Sequence, residues 1–280
     1  MNNSVSSYAY ALPVLPLASK ADSDRAARLL KQNTGIVLGA HKEDMMARTL
    51  GTRTLACGLD RVDHYLDYLE NSGEEPEWTN FVNAFTINHT AFFREQHHFD
   101  ILADFISARP KPIDIWCSAA STGEEAYSIA MTVRESCVAP DSNVSILATD
   151  IDTEAIQKAK LGIYTHERIE PVEQAFKQKY FLRGKGKQEG FVRVKPVLRN
   201  MLQFGVVNLN GSNWPSNNSF DVIFCRNTMI YFDKNAQVRL LERFAAAMKP
   251  GGLLFVGHSE NFSHLTKAFR LRGQTVYVRN

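Results

Sequence analysis

The segment DIWCSAASTGEEAYS, Asp114 to Ser128, constrains the fold more than any other stretch of the chain. An apolar, β-prone run meets six small residues, Ser118–Gly123, and then helix-forming Glu, Ala and Tyr. That is the order of a nucleotide-binding strand, turn and helix. The surrounding sequence keeps the same grammar. Ile113–Cys117 reads as a strand with Glu124–Ser136 as its helix, and Val144–Ala148 as a second strand followed by a helix over Thr153–Lys160. Met201–Val207 and Val222–Cys225 read as strands three and four. Asn235–Met248 reads as a helix ended by an ordinary helix-stop turn at Lys249-Pro-Gly-Gly, with Leu253–Val256 as strand five and FRLRGQTVYVRN as a closing hairpin. Short apolar strands alternating with helices predict a parallel, doubly wound sheet. One segment breaks the rhythm: Tyr180–Lys195 reads as two strands around a Gly-rich basic loop, inserted between strands two and three.

Ahead of this α/β region the pattern is helical. Residues 1–20 read as a loose tail. Ala26, Leu29, Leu30, Met45, Met46 and Leu50 then recur at helical spacing, and Leu59, Val62, Leu66 and Leu69 form one amphipathic stripe. Helices are expected near Trp78–Ala84 and Gln96–Ala108. The expected organisation is a tail (1–20), a helical domain (21–85), a linker and helix reaching the ligand site (86–112), and an α/β domain (113–280) with its insertion at about 178–197.

Charge narrows the partners. The chain has 32 Lys and Arg against 30 acids in 280 residues, a net +2, whereas a nucleic-acid binder held by phosphates is usually more lopsided. The four cysteines (Cys57, Cys117, Cys137, Cys225) form no CxxC pair and read as buried thiols. The eight histidines lack metal-binding spacing, and the adjacent His97 and His98 are expected to point apart, so no metal site is expected. The apolar stretch from Tyr8 is broken by two prolines and follows no basic residue, which argues against a secretory signal. No run approaches the ~20 apolar residues of a membrane span. A soluble cytoplasmic monomer is expected.

Ligands of doubly wound sheets sit beyond the carboxyl ends of the strands. There this chain offers Ser118–Gly123 and Glu125 after strand one, Asp150 after strand two, Asn208 after strand three, and Arg226, Asn227 and Tyr231 after strand four. Asp152 can cap the next helix, which leaves Asp150 free to grip ribose hydroxyls. A dinucleotide turn wants three glycines, but only Gly123 is present, and Glu124 and Glu125 would repel a pyrophosphate. S-adenosylmethionine carries adenosine without phosphate, plus a sulfonium and an ammonium, and suits such a turn.

At these residues the chain resembles the chemotaxis receptor protein-glutamate methyltransferases, the CheR family. The matching motifs are NHTAFFRE (Asn88–Glu95), WCSAASTGEEAYS, ATDID, FDVIFCRNTMIYFD (Phe220–Asp233) and VGHSEN (Val256–Asn261), in family order. Ala126 stands where the family usually has proline. The resemblance implies a class I S-adenosylmethionine-dependent methyltransferase sheet, Rossmann-like, with an inserted small antiparallel β-subdomain and a small all-α N-terminal domain. It implies cofactor contacts at Asn88, Thr90, Arg94, Glu125, Asp150, Asn208, Leu209, Arg226 and Asn227. Glu125 is placed near the methionine ammonium, Asp150 at the ribose, and Asn208 with Leu209 around the adenine. The implied product is S-adenosylhomocysteine. The implied partners are membrane chemoreceptors, to whose arrays the enzyme is recruited. A C-terminal receptor peptide is expected on the β-subdomain at Arg183, Gly184, Gly186, Gly190 and Arg193.

Methylating a glutamate needs no general base, because a carboxylate of ordinary pKa about 4.3 is already ionised. Alignment remains, and Arg94 and Tyr231 are expected to supply it. The alternative for Arg94 is an ion pair with Glu95 or Asp100. Lys42, Arg48 and Arg53 are candidate contacts to acidic receptor helices, against the simpler reading of a solvated face. Two competing functions remain: a class I methyltransferase acting on another substrate, and a non-catalytic receptor-binding scaffold of the same fold.

Overall fold

A computed structural model describes residues 14–39, 42–71, 75–109, 112–136, 144–215 and 220–280. Residues 1–13 of the expected tail, the Pro110-Lys111 pair and Cys137 lie outside these. Two compact units divide the chain, Met1–Leu29 with Leu38–Phe81, and Leu30–Val37 with Val82–Asn280.

The first unit is built from helices. Ser19 opens α1 (Lys20–Thr34) by a reciprocal cap: its hydroxyl accepts from the Asp22 amide at 3.1 Å and the Asp22 carboxylate accepts from the Ser19 amide at 2.8 Å. The helix therefore starts before Ser23. In α2 (Glu43–Ala56), Met46, Leu50 and Thr54 are buried and Met45 is exposed. In α3 (Val62–Asn71), Tyr65 joins Val62, Leu66 and Leu69 on the buried stripe, while Leu59 lies before the helix. A side chain at Gly51 would come within 2.6 Å of the Pro16 carbonyl, so Pro16 lies against α2. Arg53 is not available to a receptor surface. Its guanidinium donates to the buried Glu77 carboxylate, with Nε at 3.0 Å, and Tyr65 adds a bond to Glu77 at 2.8 Å. Glu77 belongs to α4 (Glu75–Phe85).

The second unit holds a seven-stranded sheet and a three-stranded one. The elements run α5 (His97–Ser107), β1 (Ile113–Cys117), α6 (Glu124–Ser136), β2 (Val144–Asp150), α7 (Thr153–Leu161), β3 (Ile163–Thr165), α8 (Gln174–Tyr180), β4 (Phe181–Arg183), β5 (Phe191–Val194) and α9 (Pro196–Arg199). There follow β6 (Leu202–Val206), β7 (Phe220–Phe224), α10 (Lys234–Ala247), β8 (Met248–Phe255), β9 (Phe269–Gly273) and β10 (Val276–Arg279). The large sheet has the order β6-β2-β1-β7-β8-β10-β9, parallel from β6 to β8 and antiparallel over the last pairs. Strand order reverses between β1 and β7, the switch point at which a crevice opens.

Alternation along each strand feeds two cores. Ile115, Cys117 and Phe224 enter one with α5 and α6, where Phe99, Leu102, Ile129 and Val133 meet them. Trp116, Ile223 and Leu254 enter the other with Leu240 and Phe244 of α10. Strands covered on both faces read as unbroken apolar runs, which is why β7 is buried at every residue.

Two expectations need correction. Helix α10 stops at Ala247, and Lys249-Pro-Gly-Gly is the irregular start of β8 rather than a free turn. Gly252 lies there because a side chain would meet the Asp221 carbonyl at 2.8 Å. The inserted hairpin of β4 and β5 gains a third strand, β3, giving the antiparallel order β3-β5-β4. Three residues are too few to show a period, so β3 leaves no signal.

Candidate active site

The carboxyl ends of β1, β2, β6, β7 and β8 come to one edge of the sheet, because Cys117 pairs with both Ala148 and Phe224, and Phe224 with Phe255. After β1 the chain turns through Ser118–Gly123. The Ser118 amide donates to the Phe224 carbonyl at 2.9 Å and the Ala120 amide to the Thr149 carbonyl at 2.9 Å, so the turn is pinned to both neighbouring strands. Gly123 has φ +97, and a side chain there would stand 2.8 Å from Ala159 of α7. The single glycine thus serves close helix packing, one of the three jobs of the dinucleotide fingerprint.

Asp150, at the tip of β2, accepts from the Ser121 amide at 2.8 Å and from the Asp152 amide at 3.0 Å. Asp152 caps α7 through the Ala155 amide at 2.9 Å, as expected, and Asp150 is left to the turn after β1. Burial pushes the Asp150 carboxyl upward, with those backbone bonds opposing. Asn88 is a brace: its amide nitrogen donates to Asp152 at 2.6 Å and its oxygen accepts from the Ser121 hydroxyl at 2.7 Å. Thr90 offers its carbonyl to Arg168 at 3.1 Å.

The buried Arg226 guanidinium binds Glu125 at 2.7 Å, stands 3.3 Å from Glu95 and donates to the Arg94 carbonyl. Cys117 donates its thiol to Glu125 at 3.3 Å. Burial raises Glu125 above the usual carboxylate range against the pull of Arg226. Burial would raise Glu95 too, but Arg226 and the hydrogen bonds from His258 outweigh it and hold Glu95 at about 2. Two carboxylates around one guanidinium leave the cluster formally one negative charge in excess.

Glu95 is therefore the partner of Arg226, not of Arg94. Arg94 makes no ion pair among the described residues and donates instead to the His89 carbonyl at 3.1 Å. Its charge reaches Tyr231, whose phenol burial pushes up while Arg94 pulls it down. Tyr231 stands in the short turn Met229–Tyr231, and its carbonyl accepts from the Val37 amide at 2.8 Å. Asn227 adopts φ +54, a left-handed conformation uncommon for a residue with a side chain. The adjacent His97 and His98 do not point apart: their ring centroids lie 4.3 Å from each other, beside Glu95. His98 is committed through Nε2 to the Gln274 carbonyl at 2.9 Å, and burial lowers its pKa to about 4.

After β6, the Asn208 side chain donates to the Asn33 carbonyl at 2.7 Å and accepts from the Asn210 amide at 3.0 Å. Leu209 is buried in the α10 core, and its carbonyl takes bonds from Trp214 and Arg243. On the small sheet Arg183, Gly186, Gly190 and Arg193 are exposed. Gly184 serves its own loop, since a side chain there would meet the Gln188 carbonyl at 2.0 Å. Gly186 and Gly190 combine positive φ with open space. Arg193 pairs with Ile163 and Leu182, both exposed, so one face of the sheet mixes apolar and basic groups.

The fold and this edge define a Rossmann-like class I methyltransferase domain, preceded in the chain by a small all-α unit. Family models agree. One describing the SAM-binding domain of CheR methyltransferase matches residues 88–278, and one describing its all-alpha domain matches residues 21–86. The chain is 48% identical to the chemotaxis protein methyltransferase of Escherichia coli K12 over 260 residues, 93% of this chain and 91% of that one. It is 48% identical to the protein of the same name from Klebsiella aerogenes over 263 residues, 94% and 90% of the two chains. Chemotaxis protein methyltransferase 2 of Pseudomonas aeruginosa is 44% identical over 263 residues, 92% of this chain and 93% of that one. The chain belongs to the CheR methyltransferase family, and it is an S-adenosylmethionine-dependent methyltransferase. Among the described residues no helix is long and apolar enough to cross a membrane.

Proposed function

We propose that the enzyme esterifies glutamate side chains of chemoreceptors in the cytoplasm, where it is recruited to receptor arrays. The observation that carries this reading is the excess of buried negative charge at the switch point. Glu125 and Asp150 are both raised by burial, and Glu125 shares its one guanidinium with Glu95. A cation without phosphate would relieve that excess, and S-adenosylmethionine supplies, when bound, an ammonium, a ribose diol and a methyl group on sulfur. In this reading Glu125 receives the ammonium and Asp150 the ribose hydroxyls. Arg226 and Asn227 close the site, and the Asn208-Leu209 turn lies at the adenine end. Asn88 and Thr90 act by bracing the first turn and the segment beside it.

The acceptor carboxylate arrives ionised, at pKa about 4.3. No base is needed, and His98 is committed to the Gln274 carbonyl. Arg94 and Tyr231 orient the acceptor oxygen. A guanidinium with no carboxylate partner can hold an incoming carboxylate in a plane, and a half-buried phenol adds a second fixed donor. Too firm a grip would favour the ground state, so these groups contribute orientation rather than neutralisation.

The β-subdomain, in the same reading, holds a receptor C-terminal peptide along its free edge. Arg183, Lys185 and Lys187 are exposed there for a terminal carboxylate, and the Ile163–Arg193–Leu182 row offers side-chain contacts. Tethering raises the local enzyme concentration without touching the methyl-transfer site. Incubation with methyl-labelled S-adenosylmethionine and receptor-bearing membranes tests the whole reading. Base-labile label on receptor protein is expected, and base-stable label would place the methyl group on another acceptor.

A further inference from the structure

We infer that Glu260 is a positioning residue for methyl transfer, whose carboxylate sets the Arg226–Tyr231 loop so that Asn227 meets the cofactor and Tyr231 the acceptor. The inference rests on the roles given above to Asn227 and Tyr231. Glu260 lies in the turn after β8 and is 2% exposed. One oxygen accepts from the Gly257 amide at 2.6 Å and the Asn227 amide at 3.0 Å. The other accepts from the Thr228 amide at 3.1 Å and the Ile230 amide at 3.2 Å. No Lys, Arg or His pairs with it among the described residues. The charge is held by peptide dipoles alone.

The loop explains why a carboxylate stands there. Beyond Phe224 the chain leaves the sheet, so the amides of 227, 228 and 230 have no ladder partner, and buried amides without partners are costly. Only an ionised carboxylate offers about four acceptor sites on one side chain. The same turn fixes the strained residue. Asn227 keeps φ +54 because its amide is tied to Glu260 and its side chain occupies the space where Gly257 has none. A side chain at Gly257 would stand 2.2 Å from the Asn227 Nδ2. The turn also reaches the other wall of the site: the His258 amide and Nδ1 lie 3.3 and 3.1 Å from Glu95, the partner of Arg226. Gly257–Glu260 thus holds in register both segments from which Arg94 and Tyr231 project.

Glu260→Gln keeps the shape but turns one acceptor into a donor facing amides. With saturating S-adenosylmethionine and receptor membranes, kcat should fall roughly 10- to 100-fold, the scale of an ångström-sized misplacement. Affinity for a receptor-tail peptide should stay within about twofold, since among the described residues no hydrogen bond or ion pair joins the small sheet to this turn. A double-mutant cycle separates positioning from general stability. Tyr231→Phe should lose most of its effect on kcat in the Gln background, because the phenol is already displaced. Unchanged kcat in the Gln variant, or fully additive effects in the cycle, overturns the inference. If the Gln variant does not fold, Glu260→Asp takes its place in the cycle with the same two outcomes, because it keeps the charge but withdraws the carboxylate from the loop amides. Should Tyr231→Phe be silent in the unaltered enzyme, the Tyr231 assignment fails by itself. Glu260 is then judged by calorimetry with S-adenosylhomocysteine: weakening of about tenfold through Asn227 supports it, and unchanged affinity overturns it.

Discussion

Replacing Glu95 by Gln tests the electrostatics of the buried cluster. A carboxyl held at about 2 where an ordinary one titrates at 4.5 stabilises the folded state by about 3 kcal/mol at neutral pH, nearer 2 after partial solvent screening. The side chain is 11% exposed, so most of that interaction survives in water. The folded-state pKa lies below the unfolded one, so the stabilisation is complete above pH 4.5 and fades as pH falls toward 2. By linkage about 0.8 kcal/mol is gone at pH 4 and about 1.4 kcal/mol at pH 3.5. His98, held near 4 by burial and by Arg226, adds a loss between pH 6.5 and 4 that both proteins share in the main. Urea unfolding of the two proteins, followed by Trp116 and Trp214 fluorescence in a Trp78→Phe background, reads the second unit alone. The Gln variant should be about 2–3 kcal/mol less stable at pH 7, with the gap closing as pH drops below 4.5. Equal stabilities at pH 7, or a gap that does not narrow in acid, would refute the reasoning.

Asp150→Ala should weaken S-adenosylhomocysteine binding by about 1.5–3 kcal/mol in calorimetry, while the Asp152 cap preserves α7; unchanged affinity in a folded protein would remove Asp150 from the ribose site. Arg94→Ala and Tyr231→Phe should lower kcat more than cofactor affinity, since alignment is realised mainly in the transition state. Equal losses at Arg94 would make it a cofactor contact instead. Gly184→Ala, which sets a methyl group against the Gln188 carbonyl, should distort the basic loop and weaken receptor-tail binding at least several-fold with cofactor affinity unchanged; a peptide that binds the variant as tightly as wild type would move the docking site elsewhere.

Much of this was legible in the chain. Strands such as Ile113–Cys117 and the helix Glu124–Ser136 could be bounded from sequence because each carries a full local pattern: an apolar run with polar or small residues at its ends, or helix formers after a small-residue turn. The gathering of Glu125, Asp150, Arg226 and Asn227 at one edge also followed, since a parallel sheet puts every strand's carboxyl end on the same side. The motifs of the resemblance are continuous in sequence and needed no tertiary information. Asp152 as the cap of α7 was readable for the same reason: a cap acts over three residues.

What tertiary structure alone decided is pairing. Glu95 is adjacent to Arg94 in sequence, yet the left-handed backbone at Glu95, φ +57, helps send its carboxylate to Arg226, 131 positions away. Glu260 reads as an ordinary acid in a polar turn, and only the fold shows it collecting amides from a loop 30 to 33 residues earlier. Asn88 and Asn208 have the side chains expected of ligand contacts, but the neighbours that occupy them come from other strand ends and from the Leu30–Val37 segment. The Lys249-Pro-Gly-Gly run keeps its turn residues but is carried into β8 as an irregularity between the Phe220–Met248 and Val222–Leu253 pairs with β7. Local pattern determines which elements form, through propensity, caps and the periods of helix and strand. Which buried charge meets which counter-charge depends on distances across the fold, and no spacing along the chain encodes them.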